Sequence, residues 1–158
     1  MHKTKNDLPQ ENREKIIELL NARLADATDL KSQAKHAHWN VKGIHFFQLH
    51  ELFDQVSTAA EAHIDSIAER ATALGGTALG TIRVASQNSS LAEYPLEITE
   101  GRDHVDALSN ALAGFGKNVR QGIDDADKLE DKDTADLFTE ISREIDKLLW
   151  FVEAHNQS

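Results

Sequence analysis

Apolar residues recur at helical spacing in four separate stretches of the chain. From about Leu8 to His38, Ile16, Ile17, Leu20, Leu24, Ala27, Leu30 and Ala34 follow one another at three- and four-residue steps, the period of a helix with one buried face. Pro9 sits where a first helical turn tolerates it. Asn40 to Gly43 reads as a turn. A second helix is predicted from about Ile44 to Leu74, stopped by Gly75 and Gly76. Residues 75–99 are rich in Gly, Ser and Thr and contain Pro95. They predict a long connection with room for a short helix near Ser90 to Tyr94. Thr99 is positioned to cap a third helix, about Glu100 to Asp127, in which Gly114, Gly116 and Gly122 weaken the helix or allow close packing. A fourth helix begins near Asp131–Thr134 and runs to about Ala154, with Leu137, Phe138, Ile141, Ile145, Leu148, Leu149 and Phe151 on its apolar face. Residues 1–7 predict a flexible polar tail, and residues 8–155 a single domain.

Four long helices with one long connection predict an all-α, ferritin-like four-helix bundle, in which the crossover lets the third helix run parallel to the second. The second helix carries two stripes. With His50 set at zero and about 100° per residue, Asp54 falls near 40°, Asp65 near 60° and Glu69 near 100°. Leu49, Leu52, Phe53, Val56, Ala60, Ile64, Ile67, Ala71 and Leu74 cluster at roughly 200–320° by the same count. The apolar stripe must face the core, so the polar stripe faces elsewhere. His38, just before the turn, adds a fifth potential ligand to that stretch.

Asp54 and Asp65 are separated by about 16 Å of helix rise, whereas metal ligands lie at roughly 2 Å from the ion. One straight helix cannot close both pairs around one ion. A twofold-related copy packed antiparallel resolves this. His50 and Asp54 of one chain meet Asp65 and Glu69 of the other, giving two identical sites per homodimer. For any single acidic pair at i, i+4 the solvated helix face is the commoner explanation, and Glu61, near 20° on the same stripe, belongs to neither pair. The mixture of upstream imidazoles and downstream carboxylates with few basic neighbours favours ligation.

Composition narrows the chemistry. The chain has 158 residues, no cysteine, and a formal net charge of -10. Thiolate chemistry and disulfides are excluded. The charge favours cations and disfavours non-specific contact with nucleic-acid phosphates. No apolar run reaches the roughly 20 residues of a membrane span, and the start of the chain lacks the apolar segment of a secretory signal, so a cytoplasmic location is expected. Two His and three carboxylates suit Fe(II), Mn(II) or Zn(II). The Glu-x-x-His of core di-iron bundles is absent, which again points to a subunit interface.

The phrases His38-Trp39-Asn40-Val41-Lys42-Gly43, His50-Glu51-Leu52-Phe53-Asp54, His63-Ile64-Asp65-Ser66-Ile67-Ala68-Glu69-Arg70 and Leu74-Gly75-Gly76 resemble the Dps family of mini-ferritins. Asp146-Lys147-Leu148-Leu149-Trp150-Phe151 looks like that family's last helix. The resemblance implies a hollow homododecamer built from twofold dimers. It implies a ferroxidase that oxidises Fe(II) with hydrogen peroxide or oxygen, preferring peroxide, and stores the ferric mineral, so protecting against oxidative damage. It assigns His38, His50 and Asp54 from one subunit and Asp65 and Glu69 from its partner as ligands, with Zn(II) a competitor for the same site. Trp39 has two readings, electron donor or interface packing; Trp150 is expected to pack. Asp131, Asp133 and Asp136 resemble the region lining the family's threefold pores, and equally read as acids favoured at a helix N-terminus. Family members that bind DNA often carry a longer lysine-rich tail; Lys3 and Lys5 alone predict weak or no DNA binding. His63, near 220°, is expected to pack. His36 and His45, flanking the turn, and His2 have readings as secondary metal ligands or as surface residues. The alternative function is a structural or DNA-compacting shell with a zinc-occupied or vestigial site.

Overall fold

In the computed structural model, which describes residues 1–157, the chain forms five helices. They are α1 (Gln10–Asn40), α2 (Phe46–Ala73), α3 (Ile82–Asn88), α4 (Gly101–Lys128) and α5 (Lys132–Glu153). The long helices α1, α2, α4 and α5 form the bundle. α1 lies along α2 and α4 along α5, and contacts of α1 with α4 and of α2 with α5 join the two hairpins.

Cross-links at the bundle ends fix the directions. The Lys42 N–H donates to the Thr99 carbonyl at 2.9 Å, so α2 and α4 start at the same end and run parallel. At the other end, Asn12 of α1 donates to the Leu129 carbonyl at 2.9 Å, and Arg70 of α2 reaches Asp131 at the start of α5. The predicted parallel arrangement of the second and third long helices is therefore present.

The core is filled by residues whose spacing predicted it on α1, α2 and α5, joined by Leu108, Leu112 and Phe115 of α4, which the sequence reading did not single out. Phe53, Phe115 and Phe138 are fully buried, with Ile16, Leu20, Leu24, Leu30, Ile67, Leu108, Leu112 and Ile141 around them. Each such side chain contributes about 1.5–3 kcal/mol on leaving water. Among the described residues, no helix is long and apolar enough to cross a membrane.

The crossover departs from expectation in one place. Its helix is α3, Ile82–Asn88, rather than a short helix near Ser90 to Tyr94. Thr81 caps it, its Oγ1 accepting from the Val84 N–H at 3.4 Å. Ser90 is held away from helical geometry because its N–H and Oγ both bond Asp26 Oδ1, at 2.7 and 3.0 Å. Tyr94 precedes Pro95, which disfavours helix there. Thr99 does not cap the next helix; Glu100 occupies the cap position with no side-chain bond, and the Thr99 carbonyl serves Lys42 instead.

Four residues of α1 tether this connection; the first, Asn21, donates to the Thr77 carbonyl at 3.0 Å and accepts from the Leu79 N–H at 2.8 Å. Asp26 is fully buried and also engages Arg23 and Asn118. Asp29 Oδ2 accepts from Ser89 Oγ at 2.6 Å, and Gln33 Nε2 donates to the Ala92 carbonyl at 3.0 Å. Across the loop, the Tyr94 hydroxyl meets Nδ1 of the fully buried His104 at 2.7 Å. Before α1, the His2 N–H donates to the Gly75 carbonyl at 2.7 Å.

Candidate metal centre

Residues at the end of α1 and the start of α2 come together because Val41–His45 is a tight reversal. Gly43 takes a φ of +109° within it, a conformation that a side chain would strain. The reversal lays the His38 ring on the His50 ring, with centroids 3.7 Å apart and planes at 19°.

Each of these imidazoles is locked by the other's backbone. His38 Nδ1 lies 2.7 Å from the His50 carbonyl, and His50 Nδ1 lies 2.8 Å from the His38 carbonyl. A carbonyl oxygen only accepts, so both Nδ1 atoms carry the proton. Both Nε2 atoms are then left with free lone pairs, the form in which imidazole ligates a metal. Phe46 leans on His50 at 5.1 Å and restricts its ring further.

Asp54 lies one turn along α2 from His50. Its Oδ1 accepts a 2.5 Å charge-assisted bond from Lys35 Nζ. That bond, chiefly, holds the Asp54 carboxyl below the usual carboxylate range, with smaller help from the charge of Lys35. Lys35 also stands 5.9 Å above the ring of Trp39. The ammonium neutralises Asp54 where a metal cation would otherwise do so. Lys35 escaped the sequence reading, although its position three residues before His38 on α1 places both on one helical face.

Asp65 and Glu69 lie further along α2, both exposed, and among the described residues no Lys or Arg pairs with either. The chain thus stacks His38 on His50, sets Asp54 one turn further along α2, and leaves Asp65 and Glu69 apart. Among the described residues, no three His or acidic side chains of one chain converge on a common point. Glu61, on the same stripe, is paired with Lys31 at 2.8 Å.

The remaining candidates separate cleanly. Trp39 is 68 % exposed beside the His pair. Ile44, Phe46 and Phe47 are exposed with it, forming an apolar edge around the α1–α2 reversal. Asp131 does not face solvent as a pore residue must. It is 2 % exposed and caps α5, accepting from the Thr134 N–H at 3.0 Å while pairing with Arg70 at 2.7 Å. Asp133 and Asp136 are exposed. His63 is buried beside Glu144 of α5. His36 packs edge-on against Tyr94, and His45 is exposed at the start of α2. Trp150 is mostly exposed and touches Phe151, so the packing expected of it is slight within the subunit.

Residues 17–158 match the model of the ferritin-like domain family. The DNA protection during starvation protein of Agrobacterium fabrum is 47% identical over 156 residues, covering 99% of this chain and 96% of that protein. DNA protection during starvation protein 2 of Bacillus anthracis is 35% identical, covering 88% of this chain and 94% of that one. Among solved structures, Dps of Mycobacterium smegmatis superposes with a TM-score of 0.94 at 29% identity, covering 100% of this chain and 95% of that chain. Dps of Microbacterium arborescens in its high iron form superposes with a TM-score of 0.86 at 28% identity, covering 96% and 97%. With the bundle, the crossover and near-complete coverage in agreement, the chain belongs to the Dps family of ferritin-like proteins.

Proposed function

We propose that this protein stores and detoxifies iron, oxidising Fe(II) at sites shared between twofold-related subunits. The observation that carries the proposal is the half-built centre. His38 and His50 present free Nε2 lone pairs beside Asp54 in one subunit, while Asp65 and Glu69 wait unneutralised about 16 Å away on the same helix. An antiparallel partner supplies the missing carboxylates. The exposed apolar edge of Ile44, Phe46 and Phe47 is the kind of surface a subunit interface covers. The name of the Microbacterium arborescens structure, which refers to a high iron form, supports the same substrate.

The chemistry follows from the ligand set. Hard carboxylates neutralise Fe(II) and favour Fe(III) more strongly, which drives oxidation. Two Fe(II) reduce one hydrogen peroxide to two waters, consuming two protons, so iron and peroxide disappear together without releasing hydroxyl radical. Exposed Trp39, beside His38, supplies an electron when only one iron is bound. Zn(II) competes for the same imidazoles and carboxylates. The assembly is a hollow dodecamer in the cytoplasm. Asp133 and Asp136, repeated by symmetry, attract cations to its entry pores. A net charge of -10 makes DNA binding weak at neutral pH.

The test is anaerobic Fe(II) loading followed by a peroxide pulse, with ferric absorbance followed in the parent and in a variant carrying Asp54→Ala and Glu69→Ala. Fast oxidation in the parent, lost in an intact variant assembly, is expected. A parent no faster than buffer leaves the ligand stripe with a structural or zinc-binding role.

A further inference from the structure

The chain contains one tyrosine, one methionine, two tryptophans and no cysteine, so readily oxidised side chains are few. Trp39, Trp150 and Met1 are each more than half exposed. Tyr94 is the exception. It is mostly buried, and its hydroxyl lies 2.7 Å from Nδ1 of the fully buried His104. Burial raises the phenol pKa and, as the largest cause, lowers that of the imidazole, so both groups are neutral at neutral pH. Phenol is the stronger acid of the two, so the hydroxyl donates and Nδ1 accepts. A buried phenol gives up an electron readily only if its proton leaves with it, and Nδ1 is a base within reach of that proton.

Aromatic rings lead from this pair toward the proposed iron centre. The rings of Tyr94 and His104 are 5.9 Å apart, and His104 is 6.4 Å from Phe53, the residue before Asp54. On the other side, His36 packs edge-on against Tyr94 at 5.3 Å. His36 precedes His38 by two residues, so the two lie on opposite sides of α1, about one helix diameter of 10–12 Å apart. Electrons tunnel over such a separation within a turnover.

We propose that Tyr94 is a second electron donor to the peroxide reaction, with His104 accepting its proton; the proposal rests on the iron-oxidising reading given above. A single Fe(II) supplies only one of the two electrons that turn hydrogen peroxide into two waters. Tyr94 supplies the other. The products are Fe(III), a neutral tyrosyl radical and protonated His104, with two further protons taken from solvent. The Ile98 backbone and the charge of Asp103 both favour the protonated ring. The radical is held under the crossover, away from the exposed edge around Trp39.

The test uses the assembled protein carrying Trp39→Phe and Trp150→Phe. It is loaded anaerobically with less than one Fe(II) per subunit, mixed with peroxide and frozen for electron paramagnetic resonance. A tyrosyl spectrum is expected, narrowed by ring-deuterated tyrosine and absent from Tyr94→Phe. His104→Gln accepts the hydrogen bond but not the proton, and should lower the radical yield severalfold with unchanged circular dichroism. Heavy water should slow radical formation in the parent, which needs no substitution of a buried residue. Azide radicals from pulse radiolysis, without iron, should oxidise Tyr94 severalfold faster in the parent than in His104→Gln. Ferric absorbance without a tyrosyl signal overturns the proposal and leaves the iron reading intact. Absence of ferric absorbance overturns both, and the pulse experiment then reads the Tyr94–His104 pair by itself. Equal yields in parent and His104→Gln leave the hydrogen bond a purely structural one.

Discussion

Asp131 offers a direct test of how the two hairpins are held together. Its carboxylate takes three donors: the Thr134 N–H at 3.0 Å, the Thr134 hydroxyl at 2.5 Å and Arg70 Nη2 at 2.7 Å. Arg70 closes the circuit, its Nε donating to Thr134 Oγ1 at 3.0 Å. Asp131→Ala removes the cap of α5, worth about 1 kcal/mol. It also strands a guanidinium that is only 17% exposed. Breaking a buried pair from one side costs about 3–5 kcal/mol. Arg70 keeps Thr134 and a loose contact with Asp133 at 3.7 Å, so the combined loss should fall near roughly 3–4 kcal/mol. For a chain of this length each kcal/mol lowers the melting temperature by about 2–4 °C, giving a drop of roughly 6–16 °C. Asp131→Asn keeps an acceptor and loses the charge, so it should fall between Ala and the parent. Asp133→Asn, at an exposed position, should change the midpoint little. Thermal melts by far-ultraviolet circular dichroism, at one protein concentration, read all three. If Asp131→Ala melts no lower than Asp133→Asn, the capped ion pair does not join the hairpins as described.

The other predictions concern the site and the crossover. Lys35→Met frees Asp54 from its ammonium and should tighten Zn(II) binding, by up to about fivefold for an exposed pair; weaker binding by calorimetry would show that Lys35 organises the site rather than competing for it. Asp26→Ala leaves Arg23 and Ser90 without a buried carboxylate, at a cost of about 3–5 kcal/mol, and should raise hydrogen exchange at Ser90 and Leu91; unchanged exchange refutes the tether. Burial, then the charge of His36, lowers the His104 pKa, against weaker opposing effects from the Ile98 backbone and Asp103. The folded state therefore favours neutral His104, and its contribution to stability is present above about pH 6.5, the unfolded value, and lost as pH falls below it. Imidazole titration by NMR should place His104 below the ordinary histidine value; a value at or above it contradicts the burial argument.

Periodicity made the long helices legible, with ends within about two residues of those observed. The closeness of His38, His50 and Asp54 was legible for the same reason: a four-residue step from His50 to Asp54 and a turn after His38 leave little freedom. What lay hidden depended on contacts between distant segments. The place of α3 follows from the Thr81 cap and from Asp26 seizing Ser90, 64 residues away. Asp131 reads equally as a cap or a pore residue until Arg70, 61 residues distant, arrives to bury it. Lys35 is visible on the face of His38, but its bond to Asp54 needs the packing of α1 on α2.

The central claim is that each site takes ligands from two chains, and mixed assemblies test it most directly. Subunits carrying Asp54→Ala alone and Glu69→Ala alone should each form inactive shells. Unfolded together in equal amounts and reassembled, random pairing makes half of the dimers mixed. Each mixed dimer has one site with both defects and one with none, so about a quarter of all sites should be whole. Peroxide-driven Fe(II) oxidation per subunit should recover to about that fraction of the parent. Mixed assemblies no more active than either variant alone, while formation of mixed dimers is verified by mass spectrometry, would contradict a site shared between subunits.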